Sequence, residues 1–373
     1  MSKNSQLGVV IAGVILPVVV YGLLGYTWYI YVFRICGRML VDYPEHKAQA
    51  IAFIIISSLL WLMSIICYSR ILFTGPGKPV NARTPLLISE STSNNRLSST
   101  GLPRFYYAPK LFQWEKMTSR RIEGQDNADT IMPVLSSSKQ DGQARYCHMC
   151  ECFKPDRAHH CKECNRCVLK MDHHCPWVSG CVGFENYKFF FLFVFYTGFY
   201  GLWIFVSALP TVITAINDMG SPLDPQWIVL IVIAFIFGFT VCGFSGVHAS
   251  YIFNNETTIE HLADRPNEIR VDFDTSGHNF EIVSVSNYDN LWDVGKINNW
   301  KIVMGNSAFT WFLPIKRGLG DGYYYPYNDR IFGEIVKRAQ QQHRTMEVPS
   351  YGTQSGTFES ERVLAVESTV RMF

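Results

Sequence analysis

Four long, predominantly apolar stretches punctuate the chain, at residues 7–33, 48–68, 189–216 and 227–247, and none contains Asp, Glu, Lys or Arg. A helix needs about 20 apolar residues to cross a hydrocarbon core of about 30 Å, so each is predicted to be a transmembrane helix. The first is about twice as long as a signal-peptide core, contains Pro17 and offers no small-residue cleavage motif, so it reads as a span. Between the second and third spans, residues 81–143 are rich in Ser, Thr, Asn and Gly without an apolar period, and are expected to form a flexible cytosolic connector. Residues 144–186 are dense in cysteine and run directly into the third span. Beyond the fourth, residues 254–339 mix polar and aromatic positions, and Thr257 and Glu260 have the spacing of a capping box that opens a helix. The aromatic stretch from Trp292 to Ile315 suits the bilayer interface or packing on the cysteine block. Residues 340–373 are polar and are expected to be disordered.

Composition agrees: 48% of residues are hydrophobic and only 17% charged, in blocks that a soluble chain would not tolerate. Lys and Arg are in excess between spans two and three and numerous after span four, while residues 217–226 carry none. Both large polar regions and both termini are therefore predicted to be cytosolic. Arg34, Arg38 and Lys47, in the short first loop, run against that placement. Eight of the 11 cysteines fall in the cytosolic block, where thiols stay reduced and metal binding is the expected use. The triplet Asn255-Glu256-Thr257 matches a glycosylation acceptor, but a cytosolic position leaves it unused.

The spacing C-x2-C-x9-H-x6-C occurs twice, offset by 14 residues. One copy is Cys147, Cys150, His160 and Cys167; the other is Cys161, Cys164, His174 and Cys181. Each supplies three thiolates and an imidazole, a closed tetrahedral shell of the kind that structural zinc prefers. Cys175 stands where a third copy would begin, but its later positions hold Val178, Lys188 and Phe195. Cys152 lies outside both shells and reads as a bystander. Pro176 biases Cys175 toward extended backbone, so His173 and Cys175 should project to one side and His174 to the other. His173 is then placed to take the thiol proton and Asp172 to hold the imidazole, which makes Cys175 the candidate nucleophile.

These residues carry a resemblance. The run from Cys147 through Lys154-Pro155-Asp156-Arg157-Ala158-His159-His160-Cys161 and Asp172-His173-His174-Cys175-Pro176-Trp177 to Cys181-Val182-Gly183 and Asn186 resembles the cysteine-rich domain of the DHHC protein S-acyltransferases. Thr257-Thr258-Ile259-Glu260 is similar to that family's TTxE element, and Asn299 to Gly305 to its C-terminal conserved element. Gly75-Pro76-Gly77 stands where the family has Asp-Pro-Gly. The arrangement looks most like the fungal members of the vacuolar membrane, with Golgi or another endomembrane as the alternative. The resemblance implies an α-helical polytopic membrane protein, with four transmembrane helices and a cytosolic two-zinc domain between the second and third. It also implies palmitoyl transfer from acyl-CoA through a thioester on Cys175 to cysteines of cytosolic or peripheral membrane proteins, by a ping-pong route. The bilayer is the other partner, and nothing calls for nucleic acid. Candidate acyl-CoA contacts are Trp177 for the first methylenes, Tyr200 and Thr27 for the chain end, and Lys154, Arg157 and His159 for the phosphates.

Two other readings compete with this one. A cross-braced zinc module acting as a binding scaffold or ubiquitin ligase suits interleaved ligands but has no use for Asp172 and His173 beside an unliganded Cys175. A transporter needs charged residues along its spans, and these have none.

Overall fold

In the computed structural model, residues 3–42, 44–79, 134–217, 224–273, 279–286, 289–316 and 318–347 are described. The residue pattern becomes four long helices joined to a polar body at one end. The first, α1 (Lys3–Tyr29), carries Pro17 within it and continues through a π-helical stretch, Ile30–Cys36, into α2 (Gly37–Asp42). The others are α3 (Lys47–Phe73), α4 (Tyr187–Asn217) and α5 (Pro225–Asn254). All four are long and apolar enough to cross a bilayer, and the large apolar side chains they leave exposed, such as Val18, Ile55, Leu59, Val232 and Ile236, form a lipid-facing surface.

Helices α4 and α5 approach closely because glycines meet at their crossing. A Cβ added to Gly201 would lie 2.7 Å from Gly238, and one on Gly198 would lie 2.7 Å from Cys242. Two of the three basic residues of the first loop have a local explanation at the opposite end. Arg34 pairs with Asp224 at 2.6 Å, and Arg38 lies over the Trp227 ring. Asp224 also caps α5 by accepting from the Gln226 amide. These charges are spent on helix packing.

At the other end, three short antiparallel hairpins follow one another: β2 (Tyr146–Cys147) with β3 (Cys152–Phe153), β4 (His159–Cys161) with β5 (Arg166–Val168), and β6 (His173–Cys175) with β7 (Gly180–Val182). A separate sheet in the order β1-β8-β9 joins β1 (Val134–Ser137) to β8 (Asn267–Asp272) and β9 (Phe280–Val285). Helix α8 (Asp329–Glu347) packs on this sheet, burying Ile331, Ile335 and Ala339 against Leu135, Ile269, Val271, Val283 and Val285. The short helices α6 (Thr258–His261) and α7 (Lys296–Met304) link α5 to this unit.

Two boundaries differ from the sequence reading. Residues 134–137, assigned to the connector, form a strand because an alternating partner, β8, lies more than 130 residues downstream, beyond any local pattern. Residues 340–347, assigned to the tail, complete α8, whose apolar side faces the sheet. Residues 138–143 turn back from this strand, with Ser138 bridging Ala144, while 81–133 of the connector and the tail from 348 lie outside the described residues.

The Gly75-Pro76-Gly77 segment ties α3 to the polar body. The Leu169 amide donates to the Gly77 carbonyl and the Glu185 amide to that of Pro76, each at 3.1 Å. Gly77 has φ +87°, and a Cβ there would meet Glu185 at 2.8 Å, so glycine is required at that position.

Candidate functional site

The 14-residue spacing is the length of one hairpin repeat. Cys147 faces Cys152 across the first hairpin, Cys161 faces Arg166 across the second, and Cys175 faces Gly180 across the third. Glu151, Asn165 and Ser179 adopt left-handed conformations, with φ of 50°, 47° and 52°, at the same step. Three turns of equal geometry therefore follow in series, although only the first two carry complete ligand sets.

In the first set His160 Nδ1 lies 3.5, 3.3 and 3.8 Å from the sulfurs of Cys147, Cys150 and Cys167. In the second His174 Nδ1 lies 3.6, 3.4 and 3.8 Å from those of Cys161, Cys164 and Cys181. A tetrahedron with zinc–sulfur bonds of about 2.3 Å and a zinc–nitrogen bond of about 2.0 Å has S–N edges of about 3.5 Å. All four donor atoms of each set lie within 4.8 Å of one another, so the two clusters fit two zinc ions. Each shell is full, as in a structural site, with no position left for a substrate. The ladder supplies part of this order by setting His160 opposite Cys167 and His174 opposite Cys181.

The third hairpin uses the same fold differently. Val178, at the place of a second zinc ligand, is buried in an apolar cluster with Cys175, Tyr68, Ile71, Val182, Phe189, Phe190 and Val194. Tyr68 donates to the Trp177 carbonyl at 2.7 Å, and Ser179 Oγ donates to the Gly13 carbonyl at 2.7 Å, which fastens the turn to α3 and α1. The thiol thus sits at the end of the helix bundle, among apolar side chains.

Alternation along β6 gives His173 and Cys175 one face and His174 the other. His173 Nδ1 lies 2.6 Å from Asp172 Oδ2, which leaves Nε2 as the ring nitrogen available to Cys175 on the same face of β6. Burial by itself would depress the His173 imidazolium, but the bonds and charges of Asp172 and Cys175 outweigh it and raise His173 to about 9. The fully buried Asp172 is pushed upward by burial, yet its bond to His173, the His173 charge and the Thr258 amide hold it below the usual carboxylate range.

Thr258 is the residue that sequence reasoning missed at this point. Its amide donates to Asp172 Oδ1 at 2.9 Å and its hydroxyl to Oδ2 at 2.8 Å. The neighbouring capping box forms as expected, between Thr257 and Glu260. The motif was visible, but nothing local tells that α6 would meet a carboxylate 86 residues upstream. Glu260 takes a bidentate ion pair from Arg157, with contacts of 2.7 and 2.6 Å. The same guanidinium donates to the Asn255 side chain and carbonyl and stacks near Trp292 and Tyr325.

Arg157 is therefore turned inward, joining α6 to the hairpins. His159 is half-buried and lines a cleft of about 450 Å³ with Arg145, Arg157, Glu260 and Arg265. Burial, helped by Arg145, lowers it to about 4, so it is neutral near pH 7. Lys154 is half-exposed on the strand-turn following β3. Trp177 is half-exposed beside Cys175. Thr27 and Tyr200 come together at 3.2 Å between their hydroxyl oxygens, both buried. Val20 and Phe193 touch both the Cys175 cluster and the one holding Tyr200, so an unbroken apolar column leads from the thiol to this pair.

Residues 140–265 match the family model described as DHHC palmitoyltransferase. Among curated proteins, the chain is similar to palmitoyltransferase PFA3 of Debaryomyces hansenii, 31% identical over 78% of this chain and 75% of that protein. It is likewise similar to human palmitoyltransferases ZDHHC2, 30% identical over 82% of this chain and 72% of that one, and ZDHHC20, 30% identical over 81% and 73%. The chain belongs to the DHHC palmitoyltransferase family, and its activity is protein S-acyl transfer.

Proposed function

We propose that Cys175 is the acyl carrier, with His173 as its base and Asp172 as the group that fixes the imidazole, and that the donor is a long-chain acyl-CoA such as palmitoyl-CoA. The observation that carries this is a cysteine at the first ligand position of a zinc-type hairpin, without a ligand set, on the same strand face as the Asp172-bound His173 and packed against the helix bundle.

In the first half-reaction the Cys175 proton passes to His173 Nε2 and the sulfur attacks the thioester carbonyl carbon. The bond to CoA sulfur breaks, and the CoA thiolate takes the proton from His173. In the second, an acceptor cysteine gives its proton to His173 and attacks the acyl-enzyme, and Cys175 leaves as the thiolate. One thioester replaces another, so no external energy source is required. The acyl chain lies in the column between α1, α3 and α4, with Trp177 against its first methylenes and Thr27 and Tyr200 at its end. Among the phosphate candidates Lys154 is retained; Arg157 is committed to Glu260, and neutral His159 offers only a hydrogen bond. The zinc ions order the hairpins and take no part in the chemistry.

The polar body faces the cytosol in this reading, since most Lys and Arg lie between α3 and α4 and after α5 while Arg34 at the far end is neutralised by Asp224. The acceptors are cytosolic or peripheral membrane proteins, and likeness to the PFA3 proteins supports the vacuolar membrane as its location. Incubation with labelled palmitoyl-CoA is expected to place hydroxylamine-labile label on the wild type and none on Cys175→Ser, with zinc near two per chain in both. Label that persists in Cys175→Ser would overturn the assignment. A bulky Thr27→Phe should shift preference toward shorter acyl-CoAs; an unchanged chain-length profile would remove Thr27 from the chain end.

A further inference from the structure

His248 is a buried histidine that the reaction as described does not use. It lies in α5 with 1% of its surface exposed, facing the site from within the bundle. Its Nδ1 is 3.0 Å from the Tyr187 hydroxyl at the start of α4. Its ring centroid is 5.9 Å from that of His173, and the Phe190 ring stands 5.1 Å from each. Phe244 and Tyr251 close the other sides, with centroids 4.5 and 5.5 Å away.

An imidazole buried among aromatic rings loses hydration that phenylalanine never had, so a histidine here costs free energy unless its polar atoms are used. Tyr187 uses one of them. This matters because the hydrogen bond between Asp172 and Nδ1 fixes one atom of His173 and leaves the ring free to swing about that point. Nε2 stays aimed at Cys175 only if the ring faces are confined. Phe190 confines one side and His248 another, and His248 is in turn locked by Tyr187.

We propose that Tyr187 and His248 form a positioning pair that holds the His173 ring in line with Cys175. Neither touches the reacting atoms; the pair acts through His173. The test uses full-length, zinc-loaded protein and reads three quantities: alkylation of Cys175 by iodoacetamide, followed on its peptide; the rate of self-acylation at saturating palmitoyl-CoA; and the KM for palmitoyl-CoA. Tyr187→Phe and His248→Phe keep the packing and delete the hydrogen bond. Each should slow alkylation and acylation about tenfold with unchanged KM and zinc content, and the double variant should be no slower than the singles, because both delete one bond. His248→Gln, whose side-chain oxygen can accept from Tyr187, should recover most of the loss.

Wild-type rates in the two phenylalanine variants would overturn the proposal, as would slowing that tracks lost zinc, appears only in KM, or is not rescued by glutamine. The inference rests on the reading of His173 as the base, so His173→Ala is run alongside. If His173→Ala alkylates at the wild-type rate, that reading fails and the pair with it; if it slows while Tyr187→Phe and His248→Phe do not, only the pair fails.

Discussion

Asp172 is completely buried, and every bond to its carboxylate oxygens has a use in the proposed chemistry. His173 receives its orientation from one oxygen, and Thr258 holds both so that they cannot rotate away. Removing the hydroxyl in Thr258→Val leaves the amide contact and deletes one bond to a charged group, worth about 1.5–3 kcal/mol. The expected outcome is self-acylation slowed about tenfold or more at saturating acyl-CoA, checked by single-turnover labelling; an unchanged rate would mean that the backbone amide alone suffices. At this scale much was legible. The offset of 14 residues separates His160 and His174 from His173, and Pro176 sets the strand alternation that turns His173 toward Cys175. The inward turn of Arg157 was not legible, because its partner Glu260 is 103 residues away and a basic residue beside a zinc site reads equally well as a phosphate contact.

Between elements, the Arg157–Glu260 pair is the rivet that fixes α6, and so Thr258, to the hairpins. Arg157 is almost wholly buried, and removing its partner strands a charge, at a cost of about 3–5 kcal/mol for a fully buried pair and toward the lower end here because Glu260 is partly exposed. Glu260→Gln should therefore lower thermal stability and slow acylation together; unchanged melting would contradict this role. Burial pushes the Glu260 carboxyl upward, but the Arg157 charge and hydrogen bonds and the Thr257 amide bring it below the ordinary value. Its folded pKa is the lower one, so its contribution is complete above the unfolded value of about 4.3 and is lost as pH falls through the folded one. The stability gap between wild type and Glu260→Gln should hold from pH 8 to about 5 and narrow only in more acid solution. A gap that narrows between pH 8 and 6 would assign the linkage to another group. The strand β1 belongs to this scale too: four residues of the expected connector gain order only by pairing with β8, which no window along the chain can reveal.

The whole molecule joins two kinds of solvent. Four apolar helices pack at one end, and a body whose two metal-ligand clusters lie in successive hairpins sets the Cys175 thiol against their apolar side chains. The helix count, the zinc ligands and the placement of the module between α3 and α4 could be read from hydropathy and spacing, since each depends on local pattern. The meeting of Thr27 and Tyr200, and the docking of the β1-β8-β9 sheet, depend on contacts between distant segments. Small cysteine-rich modules draw much of their ordering free energy from metal, so chelation of the purified protein should release zinc and abolish acylation together. Loss of both zinc ions with full acylation retained would contradict the platform role.

The central claim is that adjacent histidines on one strand do different work, His174 closing a zinc shell and His173 serving Cys175. Zinc content and single-turnover acylation measured on the same preparations of His173→Ala and His174→Ala test it most directly. His173→Ala should keep zinc near two per chain and slow acylation about 10²–10⁴-fold, the range of general-base catalysis. His174→Ala should lose one zinc and its acylation together. Metal loss in His173→Ala with full metal in His174→Ala would contradict the account.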